Sequence, residues 1–174
     1  MLSKSSLLAA AALLAASPVS AVTDSGPSDA EIAHIAYTAG QIDIATARQA
    51  LAKSQNAEVR GFAETMLRDH QAVEDQALAL VKKLGVTPTD NATSIALAKQ
   101  ARETHARLGA LTGTDFDRAY VDNEVAFHRT VNGALKSTLI PSADNGELKN
   151  LLQTGASLFG EHQTHAEHLA ASMK

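Results

Sequence analysis

The clearest pattern in the chain is a repeat of apolar residues every three or four positions, which marks one buried face of an α-helix. It recurs in four long stretches, which begin near residues 29, 57, 114 and 144. The second stretch carries the most regular stripe, formed by Val59, Phe62, Met66, His70, Val73, Ala77, Leu80 and Leu84. We therefore predict four long helices.

Local signals set the expected helix ends. Ser28 and Glu31 have the spacing of a capping box, which predicts that the first helix begins there and runs to about Lys53. Gly85 is expected to end the second long helix, and Pro141 is expected to end the third, which begins near residue 114. A shorter and more polar helix is predicted over residues 95–111, and the last helix over residues 144–172.

Two short turns and one connection of about thirty residues join these segments. The predicted fold class is all-α, a ferritin-like four-helix bundle with a long crossover that contains the extra short helix. A simple up-down bundle with a stray helix fits the same pattern. Aromatic residues make up only 3% of the chain and alanine is abundant, which favours closely packed helices over a sheet.

Composition narrows the possible chemistry. The chain has no cysteine, so disulfides and thiolate metal sites are excluded. Its formal net charge is −4, without a basic stripe, which argues against nucleic acid as a partner. The sequence contains no Ser-His-Asp order, phosphate loop or cofactor fingerprint, so it favours a non-catalytic protein over an enzyme. Nothing in it indicates an oligomeric state.

The first 21 residues have the features of a secretory signal peptide: a cationic start, an apolar run over residues 7–16 and small residues before Ala21. We predict cleavage after Ala21 and a periplasmic or secreted product. The apolar run is shorter than the roughly 20 residues of a bilayer span, and no later segment comes closer. Residues 22–28 are then expected to form a flexible mature N-terminus, and residues 29–172 a single helical bundle domain.

Several ionisable residues fall on the inward stripes. Counting about 1.5 Å per residue from the predicted turns places Asp43, His70, Glu124 and His128 near one level, with His162 about two turns away. Neutral imidazole is a common ligand of transition metals, and carboxylates complete mixed sites for zinc, copper or iron. We expect these residues to bind a metal ion or a small ligand. Met66, one turn before His70, would favour copper.

Other interpretations stay open at this stage. The histidines could be core residues that hydrogen-bond to Asp43 or Asp69, in a structural or envelope-stress interaction protein. Met66 is then a core residue, and the histidines near the end of the last helix belong to a solvated surface. A di-iron oxidase is less favoured, since that chemistry needs two Glu-x-x-His motifs and the chain has one, Glu31 with His34.

Three runs carry a resemblance to a known family: Phe62 to His70, Asp115 to Tyr120 with His128 eight residues on, and Leu158 with His162 and Ala166. They resemble the exported bacterial domain of unknown function 4142, a ferritin-like bundle family often labelled as outer membrane protein. The resemblance extends from about Asp29 to Leu169. It implies that His70, His128 and His162 are the recurring histidines of the family, with Asp43 where the family usually has glutamate.

Overall fold

The computed structural model describes residues 26–173, and over that range the chain forms helices and no strand. The helices are α1 (Asp29–Lys53), α2 (Ala57–Leu84), α3 (Ala92–Gly109), α4 (Gly113–Ala134), α5 (Ile140–Ser142) and α6 (Gly146–Ser172), with a π-helical turn at Leu135–Leu139. The all-α prediction is therefore confirmed. Among the described helices, none is long and apolar enough to cross a membrane. The predicted signal peptide lies outside the described residues.

Side-chain caps fix where the long helices begin. The Ser28 side chain accepts a hydrogen bond from the Glu31 N–H, and the Glu31 carboxylate accepts from the Ser28 N–H, which is the predicted capping box. The side-chain oxygens of Asn56 and Asn145 cap α2 and α6, and each accepts from two backbone N–H groups. Gly85 ends α2 in the left-handed region with φ 64°, a conformation that suits a residue without Cβ.

Helices α1, α2, α4 and α6 form the bundle as two antiparallel hairpins, α1 with α2 and α4 with α6. The starts of α1 and α6 share one end, where the Asp29 carboxylate accepts hydrogen bonds from the backbone N–H groups of Asp144 and Asn145. Phe62 and Tyr120, near the starts of α2 and α4, meet at the opposite end with ring centroids 6.1 Å apart. Helices α2 and α4 therefore run in the same direction, and the chain must cross the length of the bundle between them.

The crossover contains α3, which lies along the outside of α1. Near the first turn of each helix, the Asn91 side chain donates to the Glu31 carbonyl, and at their far ends Lys53 donates to the Gly109 carbonyl. Helix α3 buries one large apolar side chain, Leu108, as expected of a helix outside the bundle interior. This arrangement matches the predicted crossover and not the simple up-down alternative.

The end of α4 differs from the prediction. The helix does not stop at Pro141 but continues to Ser142, because the Ile140 N–H bonds to the Leu135 carbonyl five residues back and widens the turn. Pro141 then lies in the first turn of α5, where its missing N–H costs little. Helix α6 begins at Gly146, two residues later than predicted.

Two apolar clusters fill the bundle, one toward each end. The packed cluster lies where α2 and α4 begin, and its buried members are Ala47, Ala50, Val59, Phe62, Ala63, Met66, Leu108, Phe116, Tyr120, Val121, Ala166 and Leu169. The cavity cluster lies where α1 and α6 begin, and its buried members are Ile32, Ile35, Leu135, Leu139, Ala143, Leu148 and Leu152. Buried ionisable residues occupy the level between the two clusters.

Candidate metal centre

One level of the bundle gathers five ionisable side chains from all four long helices, and we call this set the polar layer. Helix α1 contributes Asp43, α2 contributes His70, α4 contributes Glu124 and His128, and α6 contributes His162. Each residue lies on the inward stripe of its helix, so the spacing that builds the core also places these groups. None is more than 4% exposed. Burial of an ionisable group costs free energy unless a partner compensates it, so the burial of five such groups at one level calls for an explanation.

The three histidines of the polar layer share one space. Their ring centroids are 5.6 Å apart for His70 and His128, 5.3 Å for His70 and His162, and 5.5 Å for His128 and His162. One nitrogen from each ring lies within 4.8 Å of the other two. Phe159, one turn before His162, stacks on the His70 ring at a centroid distance of 4.6 Å and an angle of 3°. The histidines therefore form a convergent and sterically supported group.

Neighbouring groups orient two of the imidazoles. The His128 Nδ1 lies 3.0 Å from the backbone carbonyl of Glu124, an acceptor, so Nδ1 carries the proton and Nε2 keeps its lone pair. The His162 Nε2 lies 3.1 Å from the Asp69 carboxylate, so Nε2 donates and Nδ1 is the free nitrogen. Both free nitrogens are buried and have no hydrogen-bond partner within residues 26–173. Ligating histidines in metal sites are held in this manner by carbonyls and carboxylates.

Two carboxyl groups border the histidines. Asp43 Oδ2 lies 3.1 Å from His70 Nε2 and 3.4 Å from His128 Nε2, although neither contact has the angles of a hydrogen bond. Glu124 Oε2 lies 3.6 Å from His128 Nδ1. One oxygen of each carboxyl group and one nitrogen of His128 form a second group of atoms within 4.8 Å of one another. The polar layer therefore offers oxygen donors beside its nitrogens.

Burial sets the protonation states of these groups. It raises the pKa of Asp43 to about 7 and raises the pKa of Glu124 well above its usual value, with the negative charge of Asp43 adding to the effect on Glu124. It lowers the pKa of His70 to about 3 and that of His128 to about 4, and it also lowers the pKa of His162. At neutral pH the imidazoles are therefore uncharged, which is the form that binds metal ions.

Unpartnered polar atoms are concentrated in the polar layer. Buried polar groups in folded proteins almost always have a hydrogen-bond partner. Within residues 26–173, however, several buried atoms of this layer have none: Asp43 Oδ1 and Oδ2, His70 Nδ1 and Nε2, Glu124 Oε2, His128 Nε2 and His162 Nδ1. A structural network would satisfy such atoms mutually. These converging nitrogen and oxygen atoms are donors that could hold a metal ion.

A cavity of about 470 Å³ extends from the polar layer toward the end where α1 and α6 begin. Asp43, His70 and His128 form its inner wall, whereas Glu124 and His162 do not line it. Most of the remaining lining is apolar or small and includes Ile35, Ala36, Ala39, Gly40, Val73, Ala77, Val131, Leu135, Leu139, Leu148, Leu152, Gly155 and Phe159. One side of the polar layer therefore faces an apolar chamber.

The structure brings together all five residues that the sequence singled out, Asp43, His70, Glu124, His128 and His162. His162 was expected about two turns away, and that expectation is wrong. The helical segment that begins with α4 continues through the π turn and α5 to Ser142, and α6 begins at Gly146. His128 and His162 therefore lie 14 and 16 residues from the same end of the bundle. That difference of two residues is about 3 Å along the axis.

Other residues considered at the sequence level lie elsewhere. Met66 is fully buried in the packed cluster, in agreement with a core role. His165 is exposed beside the Phe62 ring. Sequence reasoning missed two supporting residues, the Asp69 that binds His162 and the Phe159 that stacks on His70. The signal for Phe159 was its place one turn before His162, and Asp69 had been considered only as a partner of His70.

The comparison with protein families matches nearly the whole chain. A family described as a domain of unknown function, DUF4142, covers residues 14–169. The chain belongs to the DUF4142 family. The expected family membership is thus confirmed. A search of curated proteins gives no match for this DUF4142 chain.

A solved structure shares the fold of this DUF4142 chain. It is a DUF305 protein from Streptomyces coelicolor, described as a candidate secreted protein, with a TM-score of 0.71 and 14% identity. The alignment covers 83% of the DUF4142 chain and 93% of the DUF305 chain. At this identity the likeness shows a common helical architecture and does not transfer a function.

Proposed function

We propose that this DUF4142 chain is a binding protein for a transition-metal ion, zinc, copper or iron, held in the polar layer. The observation that carries the proposal is the convergence of three buried, uncharged imidazoles, each of which has one nitrogen within 4.8 Å of a nitrogen of the other two. Two carboxyl groups adjoin them. Imidazole nitrogens with carboxylate oxygens suit these metals, and no cysteine competes.

Each ligand has a defined donor atom in this proposal. His128 would bind through Nε2 and His162 through Nδ1, since their other nitrogens face the Glu124 carbonyl and the Asp69 carboxylate. His70 and Asp43 would complete a four-coordinate set, with Glu124 adjacent. In a tetrahedral zinc site, with bonds of about 2.0–2.1 Å, two ligands lie about 3.4 Å apart, so side-chain rotations would be needed to bring the donors into range.

A bound cation would also account for the electrostatics of the polar layer. Asp43 and Glu124 are two buried carboxyl groups, and burial together with the negative charge of Asp43 raises the pKa of Glu124. A divalent ion would neutralise them and occupy the unpartnered nitrogens at the same time. In a purely structural network, by contrast, Asp43 would form hydrogen bonds of good geometry with His70 and His128. The lack of such hydrogen bonds at both Asp43 oxygens within residues 26–173 supports the metal site over that alternative.

The direct test is metal titration of protein prepared without a histidine tag. Calorimetry with Zn²⁺, with Cu²⁺ and, anaerobically, with Fe²⁺ should give one ion per chain for at least one metal. The His70→Ala variant should lose more than about 100-fold in affinity, since removal of a direct ligand exceeds the usual cost of losing its supporting residue. His105→Ala is the matched control, because His105 is exposed on α3 and should bind as the wild type does.

Two results would overturn the proposal. One is the absence of stoichiometric binding for all three metals. The other is equal affinity in wild type and His70→Ala, which would assign any binding to exposed histidines such as His165 and His168.

We also propose that the chain acts after export, in the periplasm or outside the cell. The composition of residues 1–21 and the description of the DUF305 protein of similar fold as a candidate secreted protein support this. Cell fractionation followed by N-terminal sequencing should find the mature protein beginning at Val22. The same fractions test the association with the outer membrane that the family resemblance implied. Recovery of the uncleaved chain in the cytoplasm would contradict export.

A further inference from the structure

The cavity beside the polar layer is long and runs parallel to the helices. Its lining extends over residues 70–81 of α2, residues 128–139 of α4 and its π turn, and residues 148–159 of α6. Each of these spans is about 16 Å along the helix axis. The cavity volume of about 470 Å³ is in the range of small-molecule sites. A space of this length and volume suits an extended chain better than a compact molecule.

The walls of the cavity offer a bound molecule few hydrogen-bonding groups, because most of the lining is apolar or small. At its rim the Glu31 carboxylate accepts from the Ser28 N–H, and Asn91 caps α3. Glu74 accepts a hydrogen bond from Gln41. An apolar chamber lowers the stability of a fold in proportion to its volume unless an apolar molecule fills it, since water is held only where polar groups bind it.

The charges that line the cavity disfavour an anionic ligand. Glu31 and Glu74 place carboxylates at its rim, and within residues 26–173 no lysine or arginine lines it. An anionic head group would lose its hydration there without gaining a cationic partner. Because Ser28 and Gln41 already bind the two rim carboxylates, a cationic head group finds no free acceptor there either.

We propose that the cavity binds an uncharged aliphatic chain. The chain would lie parallel to α1, α2, α4 and α6, between the polar layer and the end of the bundle where α1 and α6 begin. The walls named above would bury its methylenes. This site requires no metal ion and no open coordination position, so it goes beyond the function proposed above.

The test is calorimetric titration of hexanol, octanol and decanol into metal-free protein in the presence of chelator. Affinity should increase about fourfold for each added methylene, because each buried methylene contributes a constant increment. Extended decanol is about 12 Å long, so the increase should continue through the whole series. Adamantanol also has ten carbons but is a compact cage, and it should bind at least about tenfold more weakly than decanol.

Charged chains of the same length test the neutrality of the ligand. At pH 8, decanoate and decylammonium should each bind at least about tenfold more weakly than decanol, because the cavity offers neither charge a free partner. If either charged chain binds as tightly as decanol, the proposed class of ligand is wrong.

Two glycine variants separate the cavity from the surface. Gly40 lines the cavity, and a Cβ built on it would meet no atom within 4 Å, so Gly40→Leu should fill the chamber and weaken decanol binding at least about tenfold. Gly133→Leu is the matched control, since Gly133 is also helical with open space at its Cβ but lies exposed outside the cavity. If Gly40→Leu loses helicity, Ala77→Leu makes the same test from α2.

The outcomes distinguish this proposal from the metal site. Absence of decanol binding, or equal binding of adamantanol and decanol, would overturn the aliphatic ligand and leave the metal site intact. Wild-type affinity for decanol in a folded Gly40→Leu or Ala77→Leu variant would place the alcohol outside the cavity and also overturn the proposal. Failure of zinc to bind would overturn the function proposed above and leave this inference standing, since every titration of the series is made in chelator.

Discussion

Replacing Asp43 with leucine should stabilise the metal-free protein. Asp43 is 1% exposed, and neither of its oxygens has a hydrogen-bond partner within residues 26–173. An unsatisfied buried polar group costs about 1–3 kcal/mol, and apolar residues of similar shape often replace buried ionic groups at no loss. Leucine has nearly the shape of aspartate. We expect the free energy of unfolding of Asp43→Leu to rise by about 1–3 kcal/mol in the presence of a chelator.

Zinc should reverse the order of stability, so that the wild type becomes more stable than Asp43→Leu. Zinc at 100 times its Kd adds about 2.7 kcal/mol to a protein that binds only when folded. The wild type should gain this increment, whereas Asp43→Leu should gain much less because it lacks one ligand. The measurement is urea unfolding followed by far-UV circular dichroism, once with chelator and once with zinc. When the two proteins have the same slope of free energy against urea concentration, their midpoints give the difference in free energy of unfolding under each condition.

Asp117→Leu is the matched control for this experiment. Asp117 is a buried carboxyl group on α4 with one unpartnered oxygen, but it is not part of the polar layer. It should keep the full zinc increment whatever its effect on the metal-free protein. If instead Asp43→Leu were less stable than wild type in chelator by about 1–3 kcal/mol, Asp43 would be a structural hydrogen-bonding residue and the reasoning would fail.

Three further predictions concern pH and the supporting residues. Zinc binding at pH 6 should release at least one proton, because Asp43, with a pKa of about 7, must ionise while His70, with a pKa of about 3, is already neutral. The affinity for zinc should then rise by about tenfold per pH unit up to pH 7. Calorimetry in two buffers counts the released protons, and no proton release would contradict the role of Asp43 as a ligand. Asp69→Asn should weaken zinc binding about 10–100-fold in chelator competition with stoichiometry unchanged, whereas full affinity would show that Asp69 does not orient His162. Phe159→Leu should lower the free energy of unfolding by about 0.5–1.5 kcal/mol through loss of the stack on His70, and an unchanged urea midpoint would argue against that contact.

The helices could be predicted because their signals are local. The Ser28 capping box and the Gly85 terminus depend on residues within one turn, and the structure places both as predicted. The end of α4 could not be predicted in the same way. Pro141 normally stops a helix, but the π turn before it moves the chain into a register in which proline is tolerated, and packing of Leu135 and Leu139 stabilises that turn.

The candidate site was predictable in composition but not in detail. Inward spacing identified the five members of the polar layer, since a stripe that is otherwise apolar makes each polar residue conspicuous. The level of His162 depended on two helix ends that were each misplaced by one or two residues. The cavity had no sequence signal, because small residues such as Gly40 leave space only when facing helices fail to fill it.

The proposed ligands in the polar layer come from four helices that are far apart in sequence, and among these five residues only Glu124 and His128 are near neighbours along the chain. An unfolded chain therefore presents no preassembled chelate, and the coordination sphere forms only once both hairpins and the crossover are in place. Metal acquisition would then follow folding, and the identity of the bound ion would reflect the metal supply of the compartment in which the chain folds, not of the one in which it is synthesised.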